Sequence, residues 1–241
     1  MTPLPPSFAV ALDQQFPADS GPELGFAQVD AAALAAITDL YREVMPVGGA
    51  ILDVMSSWVS HLPPEIPYHR VVGLGVDACV LAENPFLDEW RVQDLNRDPQ
   101  LNFAGGEFDG AAICGAVQHF TRPAEVIREI GRVLKPDSPL VVTFSNRCLC
   151  TPATGCWRLF DETGQLGLVA RYFVEAGNWA DIRCLDRTPP GGGAPLYAVV
   201  AKAAGPGASC DGAGRQDAEQ AVDLHHRLSR EGLRGGEQYG G

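Results

Sequence analysis

Basic residues are scarce in this chain: 18 Lys and Arg stand against 30 Asp and Glu, for a formal charge of −12 and a pI near 4.7. Binding along a phosphate backbone needs clustered cations that displace counterions, and no basic stripe interleaved with aromatics is present, so nucleic acid is not an expected partner. Long apolar runs are missing too. Stretches such as residues 140–144 are strand-length, far short of the roughly 18 to 20 residues that cross a bilayer, so no membrane span is expected. The opening MTPLPPSFAV has neither the basic start and apolar centre of a secretion signal nor an Arg-rich amphipathic pattern, and a cytoplasmic location is the expectation. Seven cysteines, at 79, 114, 148, 150, 156, 184 and 210, include no CxxC pair. A closed zinc site wants four ligands in paired short spacings, which Cys148, Cys150 and Cys156 do not supply, and no metal is expected. His225-His226 likewise lacks a third ligand nearby. The fourth shortage is local: the chain has 27 glycines and none between Asp53 and Pro63.

What is present is enough apolar sequence, 46% of 241 residues, for one sizeable core. Residues 1–27, rich in Pro, Ala, Ser and Gly without a sustained period, read as an N-terminal arm. Residues 28–203 read as the domain, and 204–241, where Gly, Ser, Ala and charge take over, as a disordered tail. In residues 29–45, Leu34, Ile37, Leu40, Tyr41 and Val44 recur at helical steps before Pro46 and Gly48-Gly49. Strand-like runs follow at 50–54, 70–73, 90–92, 109–114 and 140–144, alternating with helical patterns of which 123–134 is the clearest, opened by Pro123 and stopped by Lys135-Pro136. A further helix is expected at 164–176. Runs at 182–185 and 196–201 flank TPPGGGAP, a connection too short for a crossover helix, so they pair antiparallel if they pair directly. The expected fold is α/β: a doubly wound, Rossmann-like, mostly parallel sheet closed by a C-terminal antiparallel hairpin.

In such a sheet the ligand lies beyond the carboxyl ends of the strands, where the order reverses. Asp53 ends the first run, Asp77 follows the second, Asp94 the third, and Cys114-Gly115 with Gln118-His119 follow the fourth. Ionised carboxylates are acceptor-only, so one after each of three strands suits a ligand rich in hydroxyl, amino or ammonium donors, such as a nucleoside joined to an amino acid. Each residue has a plainer reading beside this one. Asp77 is as well placed to cap a following helix, His119 to be a packed, hydrogen-bonded histidine, and Asp109 to order the approach to its strand.

The order LD, GVD, QDL, FDGAAICGAVQHFTRP and EIGRVLKPDSPLVVTFSN, closed by a hairpin, resembles the class I S-adenosylmethionine-dependent methyltransferases of the type 11 group. The resemblance is good over residues 50–146 and looser to Lys202. It implies S-adenosyl-L-methionine as cofactor and a small-molecule methyl acceptor. By it, Asp53 sits near the methionine end and Asp77 accepts from the ribose hydroxyls. Asp94 takes the adenine amino group, with Leu95 presenting its backbone and packing on the ring. Cys114 and Gly115 offer backbone contacts to the methionine moiety. His119 stands near the methyl donor, the first candidate to take an acceptor proton, with Gln118 orienting it. An acceptor pocket is expected over residues 149–179, with Trp157, Phe160, Tyr172 and Phe173.

Where that family has glycines two, four and six after the strand Asp, this chain has Met55, Ser57 and Val59. A non-glycine residue in the left-handed region costs roughly 1 to 2 kcal/mol, so the loop is expected to take another path, with Ser56, Ser57 and Ser60 offering hydroxyls and Trp58 a flat face to the cofactor. Met55 and Ser57 thus remain cofactor-binding candidates. The same substitutions suit a catalytically inactive, methyltransferase-like binding protein. A third reading comes from VVGLGVDA, residues 71–78, which matches the dinucleotide fingerprint with Asp94 beyond it and would make an NAD-dependent oxidoreductase.

Overall fold

The structure is a computed structural model that describes residues 31–145, 157–190 and 194–205. Its frame is one seven-stranded sheet. Strands β1 (Ala50–Val54), β2 (Arg70–Gly75), β3 (Glu89–Val92), β4 (Gly110–Cys114) and β5 (Pro139–Phe144) are parallel, and β6 (Trp179–Asp186) and β7 (Tyr197–Ala203) form the antiparallel end. The order is β3-β2-β1-β4-β5-β7-β6, so the chain reverses direction across the sheet between β1 and β4. The doubly wound expectation and its closing hairpin are both met. Strands β2 and β7 run past the expected 70–73 and 196–201, because Leu74 and Gly75 in one and Lys202 and Ala203 in the other continue the strand.

Alternation along the strands decides which face each residue covers. Leu52, Val72, Ile113, Leu140 and Val142 face one layer, packed by α3 (Pro123–Val133) and α4 (Glu162–Ala176) through Ile127, Ile130, Val169 and Phe173. Ile51, Val71, Ala112, Val141 and Val200 face the other, covered by α1 (Ala31–Val44) through Ile37, Leu40 and Tyr41. Pro123 stands in the first turn of α3, where its missing N–H costs nothing, and α4 opens on the Asp161 cap and closes on Gly177 at φ 79. Trp157, Tyr172 and Phe173 are buried in the first layer, with Phe144 edge-on to Trp157 at 5.2 Å. Of the aromatics expected around an acceptor pocket, only Phe160 is exposed. Residues 149–156 of that stretch lie outside the described residues, as do the N-terminal arm, Cys148, Cys150, Cys156, Cys210, His225-His226 and all of the expected tail past Gly205.

One departure matters for function. The connection from β1 to β2, residues 55–69, contains no helix, and the next one holds only α2 (Ala78–Ala82). Leu62 and Tyr68 from the helix-less segment pack on the α1 face of the sheet. The sequence-based picture of helices alternating with every strand is therefore corrected here: coil covers the sheet where a crossover helix was expected.

Asp109 fixes the start of the central strands. Its Oδ2 accepts from the Ala50 N–H at 3.0 Å, and its Oδ1 pairs with Lys135 Nζ at 2.6 Å, tying β1, β4 and the end of α3 together. Asp109→Ala should cost about 1 to 3 kcal/mol in urea unfolding, as expected when a partly buried N–H loses its acceptor.

Candidate functional site

Asp53, the penultimate residue of β1 at its carboxyl edge, is only 6% exposed. Its Oδ2 accepts from Ser56 Oγ at 2.7 Å and from Ser60 Oγ at 2.5 Å. Burial pushes this carboxyl above its ordinary range, against the smaller opposite pull of the two hydroxyls. Asn84, just past α2 and 4% exposed, completes the cluster. Its Nδ2 lies 2.8 Å from the Ser57 carbonyl, 3.0 Å from Ser60 Oγ and 3.3 Å from Ser56 Oγ, while its Oδ1 accepts from the Phe86 N–H at 3.0 Å. The Ser56 and Ser60 hydroxyls thus point inward to Asp53, not outward to a ligand, and Trp58 lies exposed on the surface.

The path of the loop corrects one expectation. Met55 holds φ 57, the left-handed conformation that glycine takes freely, whereas Ser57 and Val59 do not. The chain keeps the first glycine-like turn at a cost and departs only after it. The Ser56 N–H then donates to Leu74 O at 2.8 Å, and the Ser56 carbonyl lies where a Cβ on Gly75 would be, 2.7 Å away. Gly73 is crowded in the same manner by Leu87. Both glycines of the dinucleotide fingerprint are therefore interior to β2 and serve close packing. With α2 only five residues long, the phosphate cradle that the NAD reading requires is not formed.

Between loop and sheet a cavity of about 20 Å³ remains, lined by Tyr41, Asp53, Ser56, Ser60, His61 and Cys114 among others. That is room for about one water. Burial pushes the His61 imidazole below its ordinary value, and burial, aided by Cys114 and Asp53, raises the Tyr41 phenol. Met55 and Ser57 also line this space.

The other expected residues lie outside it. Asp77 caps α2, its Oδ1 accepting from the Cys79 N–H at 2.8 Å and the Val80 N–H at 3.2 Å; its Oδ2 has no hydrogen bond among the described residues. Asp94 Oδ1 accepts from the Asn96 N–H at 3.0 Å. Leu95 is 1% exposed within the main core, so its side chain does not face a ligand ring and only its backbone can. Cys114 Sγ accepts from Thr143 Oγ1 at 3.3 Å. Gly115, at φ 61, donates its N–H to Thr143 O at 2.8 Å and accepts from Gln118 Nε2 at 2.7 Å. Gln118 therefore braces its own loop. His119 is half-buried at the end of a 3-10 turn, Val117–His119. Of three carboxylates expected to converge, only Asp53 lines the cavity; Asp77 and Asp94 stand at the ends of β2 and β3. Sequence reading missed Asn84, whose place between a short helix and Pro85 was its one signal, and Asn96.

Two substitutions separate charge from hydrogen bonding at Asp53. Asp53→Asn keeps an oxygen for both hydroxyls and should equal or exceed wild-type stability at neutral pH, while Asp53→Ala should lose about 1 to 3 kcal/mol. A raised folded-state pKa favours the fold below the ordinary Asp range, and that advantage disappears as pH rises through the raised value. Urea unfolding against pH should therefore show wild type losing ground to Asp53→Asn as pH increases from the acid side.

Residues 67–142 match the family described as Methyltransferase domain, a match that begins past the glycine-less loop. No curated protein matches the chain. Among solved structures, an S-adenosylmethionine-dependent methyltransferase from Mesorhizobium loti is 16% identical over 70% of this chain and 98% of its own, with a TM-score of 0.52. One from Aquifex aeolicus is 14% identical over 75% of this chain and 97% of its own, also at 0.52. The [4+2]-cyclase SpnF is 18% identical over 70% of this chain and 81% of its own, at 0.51. At these identities the likeness is one of fold. Residues 67–142 thus resemble the type 11 methyltransferases, and the strand order matches the Rossmann-like methyltransferase fold.

Proposed function

We propose that this protein is an S-adenosylmethionine-dependent methyltransferase that acts on a small molecule, with its cofactor site at the carboxyl edge of β1, β2, β3 and β4. The observation that carries this reading is the family match, laid over an edge where Asp77 and Asp94 each end a strand with acceptor oxygens. In this reading Asp77 Oδ2 accepts from the ribose hydroxyls and Asp94 from the adenine amino group, with the Leu95 backbone alongside. By donor chemistry an adenosyl group fits these residues. The methionine end does not fit in this conformation, because Asp53, Met55 and the serines leave about 20 Å³.

Bound there, the cofactor would supply an electrophilic methyl group. The residues of this chain have three tasks. Asp77 and Asp94 orient the adenosyl half. The 3-10 turn presents His119 to take a proton from a hydroxyl or amine acceptor, with the Gln118 brace setting that turn. Segment 55–62 moves aside to admit the methionine half and afterwards excludes water. Cytoplasmic action belongs to the same proposal; no helix among the described residues is long and apolar enough to cross a membrane. The arm at 1–27 and the tail at 204–241 complete the proposed domain plan.

The small cavity and the missing helix favour a second reading, a methyltransferase-like binding protein without turnover. One experiment divides the two. If the Asn84 cluster holds a usable site shut, the apparent affinity for S-adenosylhomocysteine is reduced by the closed fraction, and Asn84→Ala should raise it by about three- to ten-fold while lowering stability. Calorimetry that detects no binding to either wild type or a folded Asn84→Ala protein would leave the second reading. Where binding occurs, Asp77→Asn should weaken it by about ten-fold or less, since the amide still offers one acceptor.

A further inference from the structure

Asn96 occupies neither the cavity nor any position that the family resemblance assigns. Its three hydrogen bonds nevertheless connect two parts of the proposed site. The backbone N–H of Asn96 donates to Asp94 Oδ1 at 3.0 Å, closing a tight turn directly after β3. Its side chain leaves that turn and crosses to the loop after β4. There Nδ2 donates to the His119 carbonyl at 3.0 Å, and Oδ1 accepts from the Thr121 N–H at 2.8 Å. The two partners fix which end of the amide is which, since a carbonyl accepts and an N–H donates. Both ends of one planar group are thereby used on the two sides of Phe120, which is buried in the core.

The geometry points to Asn96 as a positioning residue: it ties the loop that carries Gln118 and His119 to the Asp94 turn, so that the adenine end of the site and the proton-accepting end move as one body. This rests on the methyltransferase reading for the role of Asp94, while the tie itself rests on the hydrogen bonds alone. Within its own loop the His119 N–H donates to the Ala116 carbonyl and the Phe120 N–H to the Val117 carbonyl. Gln118 reaches back to Gly115 in the same segment. Those bonds shape the 3-10 turn. Asn96 sets where the turn stands relative to β3. Asparagine suits the task because it donates and accepts from one short, stiff side chain. Aspartate at this position keeps the bond from Thr121 and loses the donation to the His119 carbonyl, and alanine loses both.

The test uses the full chain and has two arms. In the first, backbone amide exchange is measured on the free protein. Asn96→Ala should speed exchange at Thr121 by about ten-fold or more, the value of one hydrogen bond, with β4 and α3 amides changed by less than about two-fold. Asn96→Asp should leave Thr121 near wild type. Unchanged Thr121 exchange in Asn96→Ala, or acceleration spread evenly over the domain, would overturn the tie. In the second arm, the His119 imidazole resonances are followed by NMR while S-adenosylhomocysteine is added. Wild type should show a His119 response, and both Asn96 variants should lose it while their affinity falls by no more than about three-fold. A full His119 response in Asn96→Ala would overturn the coupling. If neither wild type nor a folded Asn84→Ala protein binds S-adenosylhomocysteine, the coupling falls together with the methyltransferase reading, and the exchange arm still decides whether Asn96 holds the loop.

Discussion

A carboxylate buried at the end of a central strand must find donors, and Asp53 finds them in the hydroxyls of its own loop. Much of the site's form follows from that need. Reaching Asp53 with Ser56 requires the chain to turn at once, which puts Met55 in the left-handed region. The same turn lays the Ser56 carbonyl on β2, where only glycine leaves space at position 75. Ser60 returns to the same oxygen from further along, and Asn84 holds both serines and the Ser57 carbonyl from the opposite strand connection. The space a ligand would take is thus occupied by the chain's own polar groups.

Most of the sheet was legible from the sequence because buried strands leave short apolar runs and helix α3 carries both its period and its stops. The C-terminal hairpin followed from connection length alone. The absence of glycine after Asp53 was equally visible. Its structural result was not, because the inward aim of Ser56 and Ser60 depends on Asn84, more than twenty residues away in sequence. Leu95 shows the same limit on a smaller scale: the motif places it beside Asp94, but tertiary packing turns its side chain into the core. Gly73 and Gly75 were ambiguous for a different reason. Close packing inside a strand and close approach of a phosphate both demand glycine, and a short motif does not separate them. Asp77, read as cap or ligand contact, caps α2 through one oxygen and keeps the other out of the cap, which is why the motif by itself did not separate the two readings.

The fold alone does not fix the reaction, since a neighbour of comparable likeness is a [4+2]-cyclase. What this chain contributes is specific to it: an edge with acidic residues after β2 and β3 and, after β1, a loop without glycine that is held by serines and an asparagine.

Helix α2 lies between β2 and β3. It spans only five residues, on the order of 7 Å, with Asp77 capping its start and Asn84 following close after its end. So short a helix has almost no internal ladder to resist fraying, and it depends on its cap. Loss of the Asp77 cap would therefore loosen the one turn that leads into Asn84 and its hold on the serines, so the two ends of this helix share their stability.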